Sequence, residues 1–348
     1  IYSQYGSKIS KFTYLIGLRT EITDVKVRLT NTNENFDYKY TELFPTINIG
    51  FERTEDQSFT IGYSRRLRRP RFWYLNPFES RSSQNVIYKG NPGLTPTFTN
   101  SFDLGYLQKI GKLTLNSSIY FQHSINSILR VSRDEIRLLD GVNQVITIRE
   151  PINLASEDRF GFELTANFNP SKKVRLSGSF NVFQQESKGL YAYNKFIIDE
   201  ITGAISSTPE TQDLGNTNNS WFSRFNATFS LPWKIQMQNR LSYRGPRNTA
   251  QSESKGIFSA NIALSKDVIK EKGSLVLNVS DLFNSRKRKT TNYNPSIENP
   301  TSISYQESQW RVRQVSLNFT YRFNQKKKQQ RDRRGGEDYE GGEDFGTP

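Results

Sequence analysis

The chain has no cysteine, one histidine and one methionine in 348 residues. It therefore has no disulfide, no thiolate metal site and no cysteine nucleophile. It also lacks a long apolar run. Tyr14 to Leu18 is typical of its longest stretches, whereas a membrane-spanning helix needs about 18 apolar residues. Aliphatic side chains are scarce: 34% of residues are hydrophobic and the mean hydropathy is −0.70, yet 13% are aromatic. That is little for the core of a soluble β-sandwich. It suffices for a barrel with a wet interior, because half of each strand then faces water. Acidic residues are in deficit, with 34 Asp and Glu against 48 Lys and Arg. The basic residues are spread over polar strand faces, turns and the tail rather than gathered in one patch. This argues against nucleic acid as a partner and fits a lumen or surface that attracts anions, lipid phosphates included. Ile1 is not an initiator, and no charged segment followed by an apolar stretch comes after it. We expect the C-terminal part of a longer precursor.

What is abundant is alternation with period two, the signature of a strand between two media. Val315, Leu317, Phe319, Tyr321 and Phe323 alternate with Gln314, Ser316, Asn318, Thr320 and Arg322. Phe160, Phe162, Leu164, Ala166 and Phe168 alternate with Gly161, Glu163, Thr165, Asn167 and Asn169, and Val174 to Val182 repeats the pattern after a turn at Asn169–Lys173. Similar hairpins are expected around residues 55, 111, 233 and 271. Longer polar loops are expected near 30–40, 70–97, 133–144 and 190–217, with shorter ones near 248 and 297. Short turns at one end and long loops at the other is the asymmetry of outer-membrane barrels, with turns in the periplasm and loops outside. The count is about twelve strands, the first from about Lys11 to Leu29. Several exceed the 9–11 residues that cross the hydrocarbon, so they should extend above the membrane. The lipid face should carry Phe162, Phe168, Phe229, Leu277 and Phe319.

After the last strand the composition changes. Lys326, Lys327, Lys328, Arg331, Arg333 and Arg334 form a basic block, and Gly-Gly-Glu-Asp occurs at 335–338 and 341–344. Such a segment cannot bury a core. The expected organisation is a barrel region over 1–324 and a disordered, low-complexity periplasmic tail over 325–348.

Candidate chemistry is sparse. His123 has no Asp/Ser pattern around it and reads as a polar strand residue. Glu163 and Glu186 lie on different strands and read as solvated lumen residues. Asp134-Glu135 and Asp140-Gly141-Val142-Asn143 lack the regular spacing and terminal bidentate Glu of a calcium loop. No glycine-rich strand–loop–helix unit for phosphate is present. We expect no catalytic residues, no metal site and no cofactor. The strongest local constellation sets Phe72, Trp73, Tyr74 and Phe78 beside Arg65, Arg66, Arg68, Arg69 and Arg71. Aromatic faces with guanidinium groups bind sugars, catechols or peptides, or they anchor a loop at the membrane interface. The residues expected to bind ligand at the outer mouth are Arg66, Arg68, Phe72, Trp73 and Tyr74.

The segment Arg65 to Phe78, with Leu75-Asn76-Pro77-Phe78 at its end, resembles a motif of TonB-dependent receptors, as does Gly90-Asn91-Pro92-Gly93-Leu94-Thr95-Pro96. Asp281-Leu282-Phe283-Asn284, placed in the penultimate strand, and Tyr321-Arg322-Phe323 in the closing strand resemble further elements of the same outer-membrane β-barrel family. Thr97 stands where that family usually has Glu. The motifs occur in family order over nearly the whole chain. The resemblance implies an all-β transmembrane antiparallel barrel of 22 strands, of which this chain supplies the C-terminal half. It implies an N-terminal plug, through which the TonB complex acts, outside this sequence. The implied function is energy-coupled uptake of a bulky nutrient, whether siderophore, glycan, peptide or metal complex. The implied partners are outer-membrane lipid, the nutrient, the barrel assembly machinery at the final strand and, in some relatives, a surface lipoprotein. A passive porin-like or adhesive barrel is the alternative.

Overall fold

The computed structural model describes residues 1–30, 33–154, 156–199, 201–270 and 272–323. The tail expected over 325–348 lies outside them. Thirteen strands form one antiparallel sheet. They are β1 (Tyr2–Ile9), β2 (Phe12–Leu29), β3 (Glu34–Thr54), β4 (Gln57–Arg68), β5 (Thr97–Ile110), β6 (Leu113–Ile125), β7 (Ser156–Ser171), β8 (Val174–Lys188), β9 (Asn216–Leu231), β10 (Ile235–Arg244), β11 (Ile257–Val268), β12 (Gly273–Ser280) and β13 (Gln314–Tyr321). Each pairs with the next in chain order. The strand missing from the sequence count is β1. Its side chains alternate poorly, with Tyr2, Gln4, Gly6 and Lys8 on one side and Ser3, Tyr5, Ser7 and Ile9 on the other. Backbone pairing from Tyr2↔Arg19 to Ile9↔Phe12 is what defines it. Among the described residues no helix is long and apolar enough to cross a membrane, so any crossing is made by strands.

Register decides the faces. Tyr14, Ile49, Ile61, Leu104, Ile119, Phe162, Val182 and Trp221 stand directly opposite one another across eight adjacent strands, β2 to β9. Leu277 and Leu317 continue the apolar side on β12 and β13. These side chains are large and largely exposed: Ile61 is 58% accessible and Phe319 57%. Aromatic pairs run along the same side, with ring centroids 4.9 Å apart for Phe12–Phe51, Phe59–Tyr106 and Tyr63–Phe102. Such pairs add about 0.2–1 kcal/mol each to strand pairing. A continuous exposed apolar face on a sheet this wide needs an apolar solvent. On β7 the face runs from Phe160 to Phe168, about 26 Å along the strand at roughly 3.3 Å per residue. It ends at a polar row: Asn100, His123, Asp158 and Glu186 are successive cross-strand partners. Glu186 thus shares the face of Val182 and bonds Lys188 at 3.0 Å. It is not the lumen residue expected from the sequence, because a period of two places it with the apolar set.

The opposite face is polar. Ser101, Gln122, Arg159, Gln185 and Asn218 form one cross-strand row, and Ser118, Glu163 and Asn181 another. Gly161 is required here. The Tyr120 ring lies across it, 2.5 Å from where a Cβ would stand, and the Tyr120 hydroxyl donates to Asn181 Oδ1 at 3.1 Å.

The tight turns between consecutive strands of this sheet fall at one end, around residues 10–11, 55–56, 111–112, 172–173, 232–234 and 269–270. The expected long loops fall at the other end, but most are β-ribbons. Residues 34–40 belong to β3, paired with β2 far beyond the last β3–β4 pair, Thr46↔Ser64. Past that point Arg65 holds Glu42 at 2.9 Å and Arg69 holds Glu21 at 2.6 Å, so ion pairs take over from the backbone ladder. Ile128–Leu139 and Val142–Asn153 form a hairpin joined by a parallel partner, Val86–Tyr88, with Ser80–Ser83 at its edge. Asp134 and Glu135 therefore lie within a strand, and Asp140-Gly141 makes its tight turn with both φ values positive. Leu190–Ile198 pairs with Ile205–Asp213. Arg247–Thr249, Ser252–Ser254, Arg288–Asn294 and Ser302–Ser308 form a last small sheet.

The face assignment is tested by charge. Phe162→Arg should cost about 2–4 kcal/mol near the bilayer midplane and lower the heat-modifiable folded fraction in lipid vesicles. Ser118→Arg, on the polar face, should fold in wild-type yield. Equal yields would reverse the assignment.

Candidate functional site

The loop end holds the dry core. The largest fully buried side chains among the described residues are Ile87, Leu94, Ile146, Ile148, Leu214 and Val131, all in connections between sheet strands. Val131, Leu154, Tyr191 and Leu214 cluster with Leu129, Ile152, Tyr193 and Ala250. Three connections therefore pack as one cap. Polar ties cross it. Arg133 bonds Glu150 at 3.2 Å and Glu135 at 3.1 Å, and Arg137 bonds Glu135 at 2.8 Å and grips Glu79 with both terminal nitrogens at 2.7–2.8 Å. Tyr191 donates to Glu150 at 2.7 Å; burial, and then the Glu150 charge, push its pKa far up. Gln251, 7% exposed, accepts from Ser132 N–H at 2.8 Å and donates to the carbonyls of Ser132 (2.9 Å) and Pro295 (2.6 Å). One side chain thereby ties three connections. Sequence reasoning passed over it, and an isolated Gln in a polar loop carries no signal of this role.

The five residues expected to bind ligand are split by the structure. Arg66 and Arg68 lie on the polar side of β4, exposed, with Thr99 and Thr97 as cross-strand partners. Pro70 lacks the N–H that would continue the ladder, and Phe72–Leu75 forms a single helical turn. Phe72 is 80% and Trp73 55% exposed, with Arg71 over the Trp73 ring at 5.3 Å. Tyr74 is 8% exposed under the Arg130 guanidinium, 5.2 Å away.

The surrounding motif residues brace this turn. The Asn91 and Gly90 N–H groups donate to the Tyr74 and Asn76 carbonyls at 2.6 and 2.9 Å. Asn153 accepts from Thr95 N–H and donates to the Thr95 and Asn126 carbonyls at 2.8–3.0 Å. Thr97, the departure from the family pattern, is 2% exposed and donates to the Asn126 carbonyl at 3.0 Å. Asp281-Leu282-Phe283-Asn284 follows β12 instead of lying within it. Asp281, 4% exposed, accepts the N–H groups of Ser285 and Arg286 at 3.0 Å and closes a turn.

The polar face offers a cleft of about 460 Å³ over β9 to β13, lined by Asn226, Gln238, Arg240, Asn261, Asn278 and Arg311 among others. Amides and guanidinium groups dominate it. Such groups bind hydroxyl- and oxyanion-rich ligands. His123 lies on the other face. Its Nδ1 is 2.6 Å from Asp158 Oδ1, while Ser124 points to the polar side and bonds Thr99 at 2.9 Å. Among the described residues no nucleophile meets that imidazole. Among the described residues no three His, Asp or Glu side chains gather as a metal would require.

An exposed apolar face, a polar opposite face and a loop cap at one end define a transmembrane β-barrel. Residues 1–321 match the outer membrane protein β-barrel family, and the chain belongs to it. No curated protein matches the chain. Among solved structures it is similar to the FrpB iron transporter of Neisseria meningitidis (F3-3 variant), at 16% identity and a TM-score of 0.53, over 92% of this chain and 44% of that one. It is similar to the ferric yersiniabactin uptake receptor FyuA of Yersinia pestis, at 13% and 0.54, over 91% and 44%. The copper transporter OprC matches at 15% and 0.55, over 81% and 42%. At these identities the likeness is one of fold. The chain spans less than half the length of each.

A Cβ at Gly90 would collide with the Asn76 carbonyl oxygen and lie 2.7 Å from that of Tyr74. Gly90→Ala should destabilise the loop by about 1–3 kcal/mol. Limited proteolysis should then cut between residues 71 and 97 while the sheet stays heat-modifiable. Unchanged protection would show that the latch is dispensable.

Proposed function

We propose that this chain is the C-terminal barrel region, residues 1–324, of a TonB-dependent receptor. The receptor takes up a bulky nutrient through the outer membrane with energy supplied from the periplasmic side. The polar face is the lumen, and the cap with its cleft captures the ligand. The observation that carries the reading is the amide- and arginine-lined cleft on the side of the sheet away from lipid. The transport roles named for the iron and copper proteins and the uptake role named for the yersiniabactin receptor, all of like fold, support it. The TonB complex acts through a plug outside this sequence. The barrel assembly machinery engages β13, and a surface lipoprotein covers the cap where one is used. Growth of a deletion strain on limiting iron chelates, glycans or peptides identifies the nutrient. Loss of its uptake both on deletion and on addition of a protonophore is expected. Uptake that persists without the proton gradient would favour a passive channel.

Sidedness follows from the loop–turn asymmetry, with the cap outside and the tight turns and tail in the periplasm. Cys placed at Ser206 should label from outside intact cells, and Cys at Ser171 should not. The reverse pattern would overturn the orientation.

Arg66, Arg68, Phe72, Trp73 and Tyr74 act at the outer mouth in this reading. A Trp73→Ala, Arg68→Ala variant that remains heat-modifiable should bind the identified nutrient about tenfold or more weakly, as expected from losing one stacking and one charged contact. Unchanged affinity and uptake would reduce the cluster to a loop anchor.

A further inference from the structure

The polar face carries a second cationic group besides the cleft. Arg159 on β7 donates to Gln185 at 2.7 Å, and its guanidinium lies 4.7 Å over the Phe183 ring. Gln185 is the cross-strand partner of Asn218. Asn218 Oδ1 accepts the Asn248 N–H at 3.0 Å, and Asn216 donates to the Asn248 carbonyl at 3.0 Å. Strand Arg247–Thr249 is thereby folded against the polar side of β9, with half-buried Arg247 beside Arg159. In the same small sheet Arg247 pairs with Ser254, and Ser254 pairs with Thr290. Arg288, two residues from Thr290, stands on that same side, with its guanidinium 5.4 Å over the Trp310 ring. Arg68 reaches in from β4. Burial is the largest influence lowering the Arg247 pKa, and the charges of Arg159, Arg288 and Arg68 are near enough to act in the same direction. Among the described residues Glu157, 3.6 Å from Arg159, is the carboxylate that offsets them. Among the described residues neither Arg68, Arg247 nor Arg288 has an ion-pair partner.

Four guanidinium groups against one carboxylate is an unfavourable arrangement unless something negative joins it. Arginine does not lose its proton to relieve the crowding. Arg288 is held by an aromatic face, and Arg159, although one terminal nitrogen serves Gln185 and Glu157, keeps a buried Nε–H without a hydrogen-bond partner. Surface arginines that serve only solubility have no reason to converge from four separate strands across a sheet. We propose that Arg68, Arg159, Arg247 and Arg288 form a subsite for a multiply charged oxyanion, namely the phosphate or carboxylate groups of a ligand entering from the loop end. The fork geometry of guanidinium groups suits such oxygens in pairs. Lipid phosphates do not reach this face, because the apolar side of the sheet is the opposite one. The inference rests on the polar face being the lumen of an uptake barrel. It narrows the ligand class to one carrying clustered negative charge.

The test uses purified full-length receptor in detergent and inorganic pyrophosphate as the probe. Wild type should bind it, more weakly as salt rises. Arg247→Gln and Arg288→Gln should each weaken binding about tenfold or more. Arg247→Lys, which keeps the charge but not the fork, should fall between. Arg175→Gln, on the polar face near the tight turns, should leave affinity unchanged. Heat-modifiability certifies each barrel, and Arg288→Gln carries the test should Arg247→Gln not assemble. Absence of wild-type binding, wild-type affinity in both Gln variants, or an equal loss in Arg175→Gln would overturn the subsite. Outer-membrane phospholipid vesicles added as competitor should not displace the probe, and displacement would assign the site to lipid headgroups. Arginine-dependent binding without proton-gradient-dependent uptake in cells would instead uphold the subsite and overturn the transport reading.

Discussion

The structure depends on one constraint: backbone N–H and C=O groups in hydrocarbon must find partners within the protein, because no water is there to serve them. Sheet pairing meets this demand along twelve interfaces, from Tyr2↔Arg19 to Gly273↔Tyr321. Once the pairing is set, the side-chain period of two leaves no freedom. A slip of one residue in any strand would turn its apolar set inward. The row from Tyr14 through Ile119 to Trp221 is therefore a consequence of backbone satisfaction and patterning together. The polar row of Asn100, His123, Asp158 and Glu186 marks where the demand stops and solvent begins.

Packing in the usual sense occurs elsewhere. The sheet wall has lipid on one side and polar groups on the other, so it has little dry interior of its own. The cap does have one, around Val131, Leu154, Tyr191 and Leu214 and around Ile87, Ile146 and Ile148. It is organised like a small soluble domain built from insertions. Apolar burial draws the connections together, Gln251 and Asn153 satisfy their backbones, and the Arg133–Glu150–Tyr191 group ties hairpin to hairpin. That packing draws Arg247 and Arg288 over the polar face, so the cap shapes the candidate ligand surface as well as covering it.

Much of the wall was legible in advance. Alternation in Phe160–Phe168 and Val174–Val182 revealed both the strands and the face, since each strand separates two media. Turns announced themselves at Asn169–Lys173 and Pro232–Lys234. Where alternation was weak, as in Tyr2–Ile9, the strand was invisible, because only pairing with β2 defines it. Glu186 reads as a lumen residue in isolation, and only the parity of its strand, continued past the apolar stretch to Val182, puts it on the apolar side. The ribbons at 34–40 and 133–144 read as loops because charged residues are dense in them, Glu34, Asp37 and Lys39 in one and Arg133, Asp134, Glu135, Arg137 and Asp140 in the other.

The candidate site was less legible. Arg68 and Trp73 drew notice by local density, and local density is what a sequence displays. Arg159, Arg247 and Arg288 are separated by 88 and 41 positions along the chain and look there like ordinary basic residues. The sequence by itself determined the membrane-facing pattern, the turn–loop asymmetry and the family, because each is written within a few consecutive residues. Only the tertiary structure decided which arginines meet and that Tyr74 is an anchor while Trp73 is exposed. It alone joined three connections through Gln251, because these depend on which strands the register and the cap packing bring together.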